Sequence, residues 1–335
     1  MTTIRERTEE LEELYLSPYA LKSKAAQRDR AEESCPIRSA FQRDRDRILH
    51  SKSFRRLKHK TQVYISPGDH YRTRMTHSLE VAQIARTIAR ALRLNEDATE
   101  AMALGHDVGH TPFGHSGEYA LRDLIGHYNH NEQSLRLVEH LEKNGKGLNL
   151  TEAVRDGILC HTGGEQPQSL EGKIVRISDR IAYLCHDYDD SVRAGLIYVD
   201  QVPTEVRRVI GEAPADMITA MVTDVIVSST DKADIYQSER IQEAMDTFRQ
   251  FMFKNVYHSA PLAPDRNRAT YVINELFEHF YTNPSRLPEE FRTGADRWGL
   301  KQVVGDYIAG LTDVYAIELF EEIFIPRKWV GHQSK

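Results

Sequence analysis

Cysteine is scarce in this chain of 335 residues: three occur, Cys35, Cys160 and Cys185, and none falls in a CxxC spacing. An odd count without that spacing argues against a disulfide framework and a zinc-thiolate site, and it suits a reducing compartment. Long apolar runs are missing too, since no uncharged stretch approaches the roughly 18 residues that suggest a membrane span. Met1 to Glu13 mixes acids with bases and holds no apolar stretch of signal-peptide length, so no secretion signal is expected and a cytoplasmic location is. No GxxxxGK(S/T) loop is present to cradle phosphates, which excludes the P-loop route to nucleotide binding. Internal repeats and low-complexity segments are absent, and a net charge of -6 argues against a uniformly basic nucleic-acid-binding surface.

What is present is helical periodicity. Forty per cent hydrophobic residues are enough for a large core. Val81, Ile84, Ala85, Ile88 and Leu92 follow the i, i+3, i+4, i+7, i+11 pattern of one buried stripe, where a strand would alternate. Asn95 before Glu96 and Asp97 reads as a helix cap with early acids that suit the dipole, opening a helix that should stop near Gly109. Further helices are expected over Glu132 to Glu142, Thr151 to Cys160, Lys173 to Asp190, Asp216 to Ser228, Ser238 to Tyr257, Arg268 to Tyr281 and Lys301 to Glu322. Asn144 to Gly147, Gly163 to Pro167 and Ala260 to Pro264 read as loops. The expected fold class is all-α.

One stretch departs from the acidic average. Arg38 to Arg74 carries eleven Lys or Arg residues against three acids, with Phe41, Phe54, Tyr64 and Tyr71 interleaved. A solvated helix face is the bland account of such a run, and an anion site the functional one. Its place just before a histidine cluster favours the second.

That cluster runs from His106 to His115 and puts three histidines and an aspartate within ten residues. A His-Asp pair alone is weak evidence, and a second one, His186-Asp187, occurs. Long-range partners strengthen the case: His77 at the start of one expected helix and Asp179 inside another. Imidazole nitrogen mixed with carboxylate oxygen suits Mn, Fe, Co, Ni or Zn, and tolerates Mg when water and phosphate oxygens complete the shell. Four protein donors leave positions free for phosphate and water, and a bound divalent cation can lower the pKa of water to about 7.

The order His77, His106-Asp107, Asp179 resembles the H…HD…D signature of the HD superfamily. The flanking words Arg74 to Glu80, His106 to His115, His130 to Ser134, Leu170 to Val175, Asp179 to Tyr183 and Asp306 to Asp313 resemble bacterial dGTP triphosphohydrolase-like proteins over nearly the whole chain. The resemblance implies an HD-domain helical core over 38–190, preceded by a helical segment, 1–37, and followed by C-terminal helices, 191–335, that pack on it. It implies one divalent ion held by His77, His106, Asp107 and Asp179, with His110, His115, Glu118 and His130 as catalytic neighbours. Glu118 and His130 would position or deprotonate the attacking water, and His115 would meet the α-phosphate or the leaving 5′ oxygen. The animal branch has Asp where Glu118 stands, which leaves the proton route open.

The reaction implied is hydrolysis of a deoxynucleoside triphosphate at the α-phosphorus, giving deoxynucleoside and intact triphosphate. Arg74, Arg180, Arg55, Lys58 and Lys254 are candidates for binding phosphate; surface ion pairing is the bland account of the last three. Asp179, Tyr183, Asp187 and Asp190 share one helix face. The resemblance puts Tyr183 against C2′ of the sugar, Asp187 on its 3′ hydroxyl and Gln62 as a further sugar contact. An ordinary core aromatic is the bland account of Tyr183. Relatives form homo-oligomers, often hexamers or tetramers, and some take a dNTP as activator as well as substrate. Two other readings stay open: another HD phosphohydrolase, such as a nucleotidase or phosphodiesterase, and a nucleotide sensor or weak single-stranded nucleic-acid binder using the basic segment.

Overall fold

Helices make up the regular structure of the described residues, and the backbone outside them forms two isolated bridges, Arg28 with Thr151 and Thr61 with Thr73. The fold is all-α, as expected. The structure, a computed structural model, describes residues 2–65 and 69–326; Met1, positions 66–68 of the basic segment and the 327–335 end of the C-terminal region lie outside the described residues. Helices α1 (Ile4–Tyr15) and α2 (Ala40–Leu49), with a five-residue helix, Lys52–Arg56, precede α3 (Arg74–Ala91) and α4 (Glu96–Gly105). Then come α5 (His115–Ile125), α6 (His130–Arg136), α7 (Glu152–Cys160) and the long α8 (Leu170–Arg193). The C-terminal part contributes α9 (Pro214–Ser229), α10 (Glu239–Met252), α11 (Ala263–Thr282), α12 (Leu300–Ala309) and α13 (Asp313–Phe324).

Side-chain caps fix where the three site-bearing helices begin. Thr73 accepts from the Thr76 amide at the head of α3, Asn95 from the Ala98 amide at α4, and Ser169 from the Gly172 amide at α8. Each such cap stabilises its helix by about 1 kcal/mol over alanine. Val81, Ile84, Ala85 and Ile88 of α3 are fully buried and belong to one apolar cluster with α2, α4, α7 and α8. This first cluster runs on past position 190 to Val256. A second gathers Phe113, Leu121 and Tyr128 around Ile273, Phe277, Val304 and Ile308, so α5 packs with the C-terminal helices α11 and α12.

Several boundaries differ from those expected. Helix α4 ends at Gly105 rather than near Gly109. The His106 carbonyl, which a continuing helix would offer to residue 110, accepts from the Ser134 hydroxyl at 2.7 Å, and the Gly109 amide donates to that hydroxyl's Oγ at 2.8 Å. A Cβ on Gly109 would lie 2.2 Å from the Ser134 nitrogen, so only glycine allows this approach to α6. The single helix expected over Lys301 to Glu322 is two, broken at Gly310, with Thr312 capping α13. The stretch expected helical to Tyr257 leaves α-geometry at Met252 and finishes in a wider π-turn, Phe253–Tyr257. Ala260 to Pro264 is not a plain loop: Ala260–Leu262 forms a 3-10 turn and α11 begins at Ala263. Pro264 sits in its first turn, where a missing amide costs little.

Candidate functional site

Side chains distant in sequence meet between α3, α4 and α8. His77 projects from the first turn of α3, His106 and Asp107 from the turn that ends α4, and Asp179 from the middle of α8. Nε2 of His77 lies 3.0 Å from Oδ1 of Asp179 and 3.9 Å from Oδ2 of Asp107; Nε2 of His106 lies 3.5 Å from Asp107 and 3.7 Å from Asp179. Donors at about 2.0–2.2 Å from one ion are spaced by about 2.8–4.2 Å, so these separations fit. His106 gives its Nδ1 hydrogen to the Ala103 carbonyl at 2.6 Å, which leaves Nε2 buried with no hydrogen-bond partner among the described residues, as a ligand nitrogen would be. Burial opposes charge on Asp107 and Asp179, yet histidines around both, and Arg74 at Asp107, hold them below the usual carboxylate range. The donor set and its unpartnered nitrogen therefore suit one divalent cation.

A second set adjoins the first. His110 places Nε2 3.1 Å from Asp107, and its ring stacks on His130 with centroids 4.0 Å apart. Burial, then Arg74 and His130, push His110 well below its usual range, which keeps it neutral. Glu118 is buried on α5 and faces Nδ1 of His115 at 3.0 Å and Nδ1 of His130 at 3.3 Å, with Arg122 3.3 Å away. Burial would raise Glu118, but its bonds to His115 and His130 outweigh that and hold it far below the carboxylate range. Glu118 is thus a buried, paired carboxylate and not a solvated one on a helix surface. His115 remains more than half exposed and can meet a ligand.

Sequence reasoning missed His161, the residue that follows α7. It is fully buried, its Nδ1 faces the Ile158 carbonyl at 2.7 Å, and its Nε2 lies 3.3 Å from Nε2 of His130. Its pKa is pushed down to about 3, by burial and then by His106 and His130. A lone histidine followed by Thr162-Gly163-Gly164 gave no signal of its own. Tyr257 was missed as well. From its π-turn it donates to Oδ2 of Asp187 at 2.6 Å, while Gln62 donates to Oδ1 at 3.4 Å. Burial pushes Asp187 up to about 6 despite these bonds. Tyr183 stands half-buried one turn before Asp187, and Asp190, one turn beyond, is held by Arg72 at 2.8 Å.

The cations divide. Arg74 is buried and committed to Asp107 at 2.9 Å and to the Thr61 carbonyl at 3.0 Å. Arg180 is half-buried next to Asp179 and makes no hydrogen bond or ion pair among the described residues. Arg55 is exposed and donates to the His50 carbonyl, Lys58 is exposed, and Lys254 is exposed on the turn that carries Tyr257; among the described residues no hydrogen bond or ion pair joins these three to the cluster. Much of the basic segment is paired with acids from elsewhere in the chain: Arg43 and Arg47 with Glu32, Arg45 with Asp97, Arg72 with Glu80 and Asp189. Phe41 and Phe54 are core residues, 1% and 3% exposed, so they cannot stack on bases as a strand-binding surface requires.

The C-terminal helices hold the loop between His110 and His115. Lys60, fully buried, donates to the carbonyls of both His110 and Ala309. Asp313 accepts from the amides of Thr61 and Phe113, at 3.0 and 2.9 Å. The α12–α13 corner is thus part of the site's support.

Residues 74–184 match the HD domain family and residues 235–322 the phosphohydrolase-associated domain. The chain is 54% identical over 329 residues to a "Deoxyguanosinetriphosphate triphosphohydrolase-like protein" of Caldanaerobacter subterraneus subsp. tengcongensis, covering 97% of each. Proteins of the same name from Desulfatibacillum aliphaticivorans and Clostridium tetani are 47% and 44% identical, the first over 98% of this chain and 100% of its own, the second over 97% of each. A solved phosphohydrolase of Bacteroides thetaiotaomicron shares the fold at 21% identity, with a TM-score of 0.51 over 86% of this chain and 68% of its own.

Proposed function

Since the chain belongs to the deoxyguanosinetriphosphate triphosphohydrolase-like proteins of the HD family, we propose that it hydrolyses deoxynucleoside triphosphates at the α-phosphorus, releasing deoxynucleoside and triphosphate. The observation that carries the reading is the convergence of His77, His106, Asp107 and Asp179 beside the Glu118–His130 pair. These four residues would hold one divalent ion, which when bound polarises a phosphoryl oxygen and acidifies water.

The chain's own groups do the rest. Glu118 accepts the Nδ1 hydrogens of His130 and His115, which fixes both rings and turns their Nε2 atoms away from α5. Held this way, His130 positions the attacking water and takes its proton on Nε2, and His115 on the exposed side, as the imidazolium, passes its Nε2 proton to the leaving 5′ oxygen. Arg180, which follows Asp179 in sequence and makes no hydrogen bond or ion pair among the described residues, takes phosphate charge, whereas Arg74 acts by fixing Asp107. Asp187, aimed by Tyr257 and Gln62, accepts from the 3′ hydroxyl, and the Tyr183 ring crowds C2′. A dNTP is the substrate and a candidate activator, in a homo-oligomer.

The test is to incubate the protein with Mn or Mg and each dNTP, singly and in mixtures, and to chromatograph the products. Triphosphate with deoxynucleoside supports the reading. Orthophosphate or pyrophosphate as the first product would instead indicate another HD phosphohydrolase chemistry.

A further inference from the structure

One carboxylate of the C-terminal helices holds two separate segments of the site. Asp313, at the head of α13 and 6% exposed, accepts through Oδ2 from the amide of Thr61 at 3.0 Å and from its hydroxyl, and through Oδ1 from the amide of Phe113 at 2.9 Å. Next along the chain from Thr61 is Gln62, which donates to Asp187; two residues past Phe113 is His115, which faces Glu118 at 3.0 Å. The Phe113 turn is held against its own backbone preference. Phe113 has φ 62° and Gly114 φ 57°, and the left-handed region is crowded for a bulky side chain, so the surroundings must impose it. The Asp313 bond falls on the amide of that same residue, the Phe113 ring is buried among C-terminal side chains, and Thr111 donates to the Gly114 carbonyl at 2.8 Å. Lys60, beside Thr61, ties the other end of the turn at the His110 carbonyl. A Cβ on Gly114 would lie 3.3 Å from the Thr61 carbonyl, so the two segments also touch.

We propose that Asp313 is a positioning residue for the hydrolysis, setting Gln62 against the sugar and His115 against the leaving 5′ oxygen from a single carboxylate. The inference rests on the proposed reading for its substrate. A reacting group misplaced by about 1 Å can cost about 10²-fold in rate, even when the change lies away from the chemistry. A carboxylate accepts at both oxygens, whereas an amide turns its NH2 toward one of them. Asp313→Asn therefore sets donor against donor at Thr61 or at Phe113, whichever way the amide is turned. Thr61→Val removes only the hydroxyl bond and leaves the Phe113 bond in place.

The experiment compares the full chain with Asp313→Asn and Thr61→Val, each saturated with Mn(II) and assayed for bound metal. The substrates are dGTP, 2′,3′-dideoxy-GTP and the dGTP analogue with sulfur in place of the 5′ oxygen. A thiol is a far stronger acid than an alcohol, so the sulfur leaves without a proton and bypasses His115. Asp313→Asn should lose about 10²-fold in kcat on dGTP, less than about tenfold on the sulfur analogue, and most of the preference for a 3′ hydroxyl. Thr61→Val should lose that preference with a smaller loss in kcat. Equal losses with oxygen and sulfur leaving groups, an unchanged 3′ preference, or loss of Mn overturns the role. Hydrogen exchange supplies a readout free of turnover: in Asp313→Asn it should quicken over 60–62 and 111–115 and stay slow along α12 and α13. Faster exchange throughout both helices assigns Asp313 to fold stability alone and overturns the role. If wild type releases no triphosphate from dGTP, the proposed activity fails, and the exchange result by itself decides whether Asp313 sets the two segments.

Discussion

The hydroxyl of Tyr257 donates to Oδ2 of Asp187 at 2.6 Å, a bond that ties the turn after α10 to the helix carrying Asp179. With Gln62 on the other oxygen, the Asp187 carboxylate is aimed before any ligand arrives. Tyr183 stands one turn earlier on the same face. A sugar held by its 3′ hydroxyl against that ring has little room for a 2′ hydroxyl. Tyr183→Ala should therefore narrow the ratio of kcat/KM for deoxy over ribo triphosphates by about tenfold or more, a loss of more than ~1.4 kcal/mol of discrimination. An unchanged ratio would return Tyr183 to an ordinary packing role.

Glu118 takes hydrogen bonds from two histidines without approaching the four proposed ion ligands itself. Glu118→Gln keeps the shape but removes the charge that orients both rings. We expect kcat to fall by about 10²–10⁴, the usual worth of a positioned acid–base system, while metal content is unchanged. Loss of metal together with activity would place Glu118 in the ion site instead.

An ion that binds only the folded chain stabilises it by mass action, by about 2.7 kcal/mol at a concentration one hundred times Kd. Adding a chelator should lower the Tm of wild type. In His106→Ala the partnerless nitrogen is gone, and its Tm should not respond to chelator. Equal responses in the two proteins would remove His106 from the ligand set.

Away from the site, Glu171 is fully buried on α8, where Oε1 accepts from the amides of Leu21 and Asn95 and Oε2 has no hydrogen-bond partner among the described residues. Burial raises its pKa from the ordinary 4.5 to about 7. The folded chain then holds a proton that the unfolded chain has released, so this group's stabilisation is complete below about pH 4.5 and is lost as pH rises through about 7, on the order of 3 kcal/mol at most. Glu171→Gln keeps the Oε1 acceptor and has no proton to lose. Its denaturant midpoint should decline less than that of wild type between pH 5 and 8; parallel declines would assign the effect to other groups.

The parts of this molecule written in local patterns were readable from residues alone. Val81 to Leu92 announced a buried helical stripe, and Asn95 announced a cap. His77, His106, Asp107 and Asp179 were legible because the family motif names them. What local pattern could not give is where the chain stops being helical for tertiary reasons. The end of α4 is set by Ser134, 28 residues away, and the break at Gly310 lies in a corner where Asp313 engages Thr61 and Phe113. His161 and Tyr257 were invisible for a related reason: each matters only through a partner, His130 or Asp187, that the fold delivers. Conversely, Arg38 to Arg74 looked like a basic surface because its acids, Glu32, Glu80, Asp97 and Asp189, lie outside that window.

The most direct measurement of the central claim is hydrolysis in ¹⁸O-labelled water with mass analysis of both products. Attack at the α-phosphorus with cleavage to the 5′ oxygen puts the label in the triphosphate and leaves the deoxynucleoside unlabelled. Label in the deoxynucleoside, or in released orthophosphate or pyrophosphate, would contradict it.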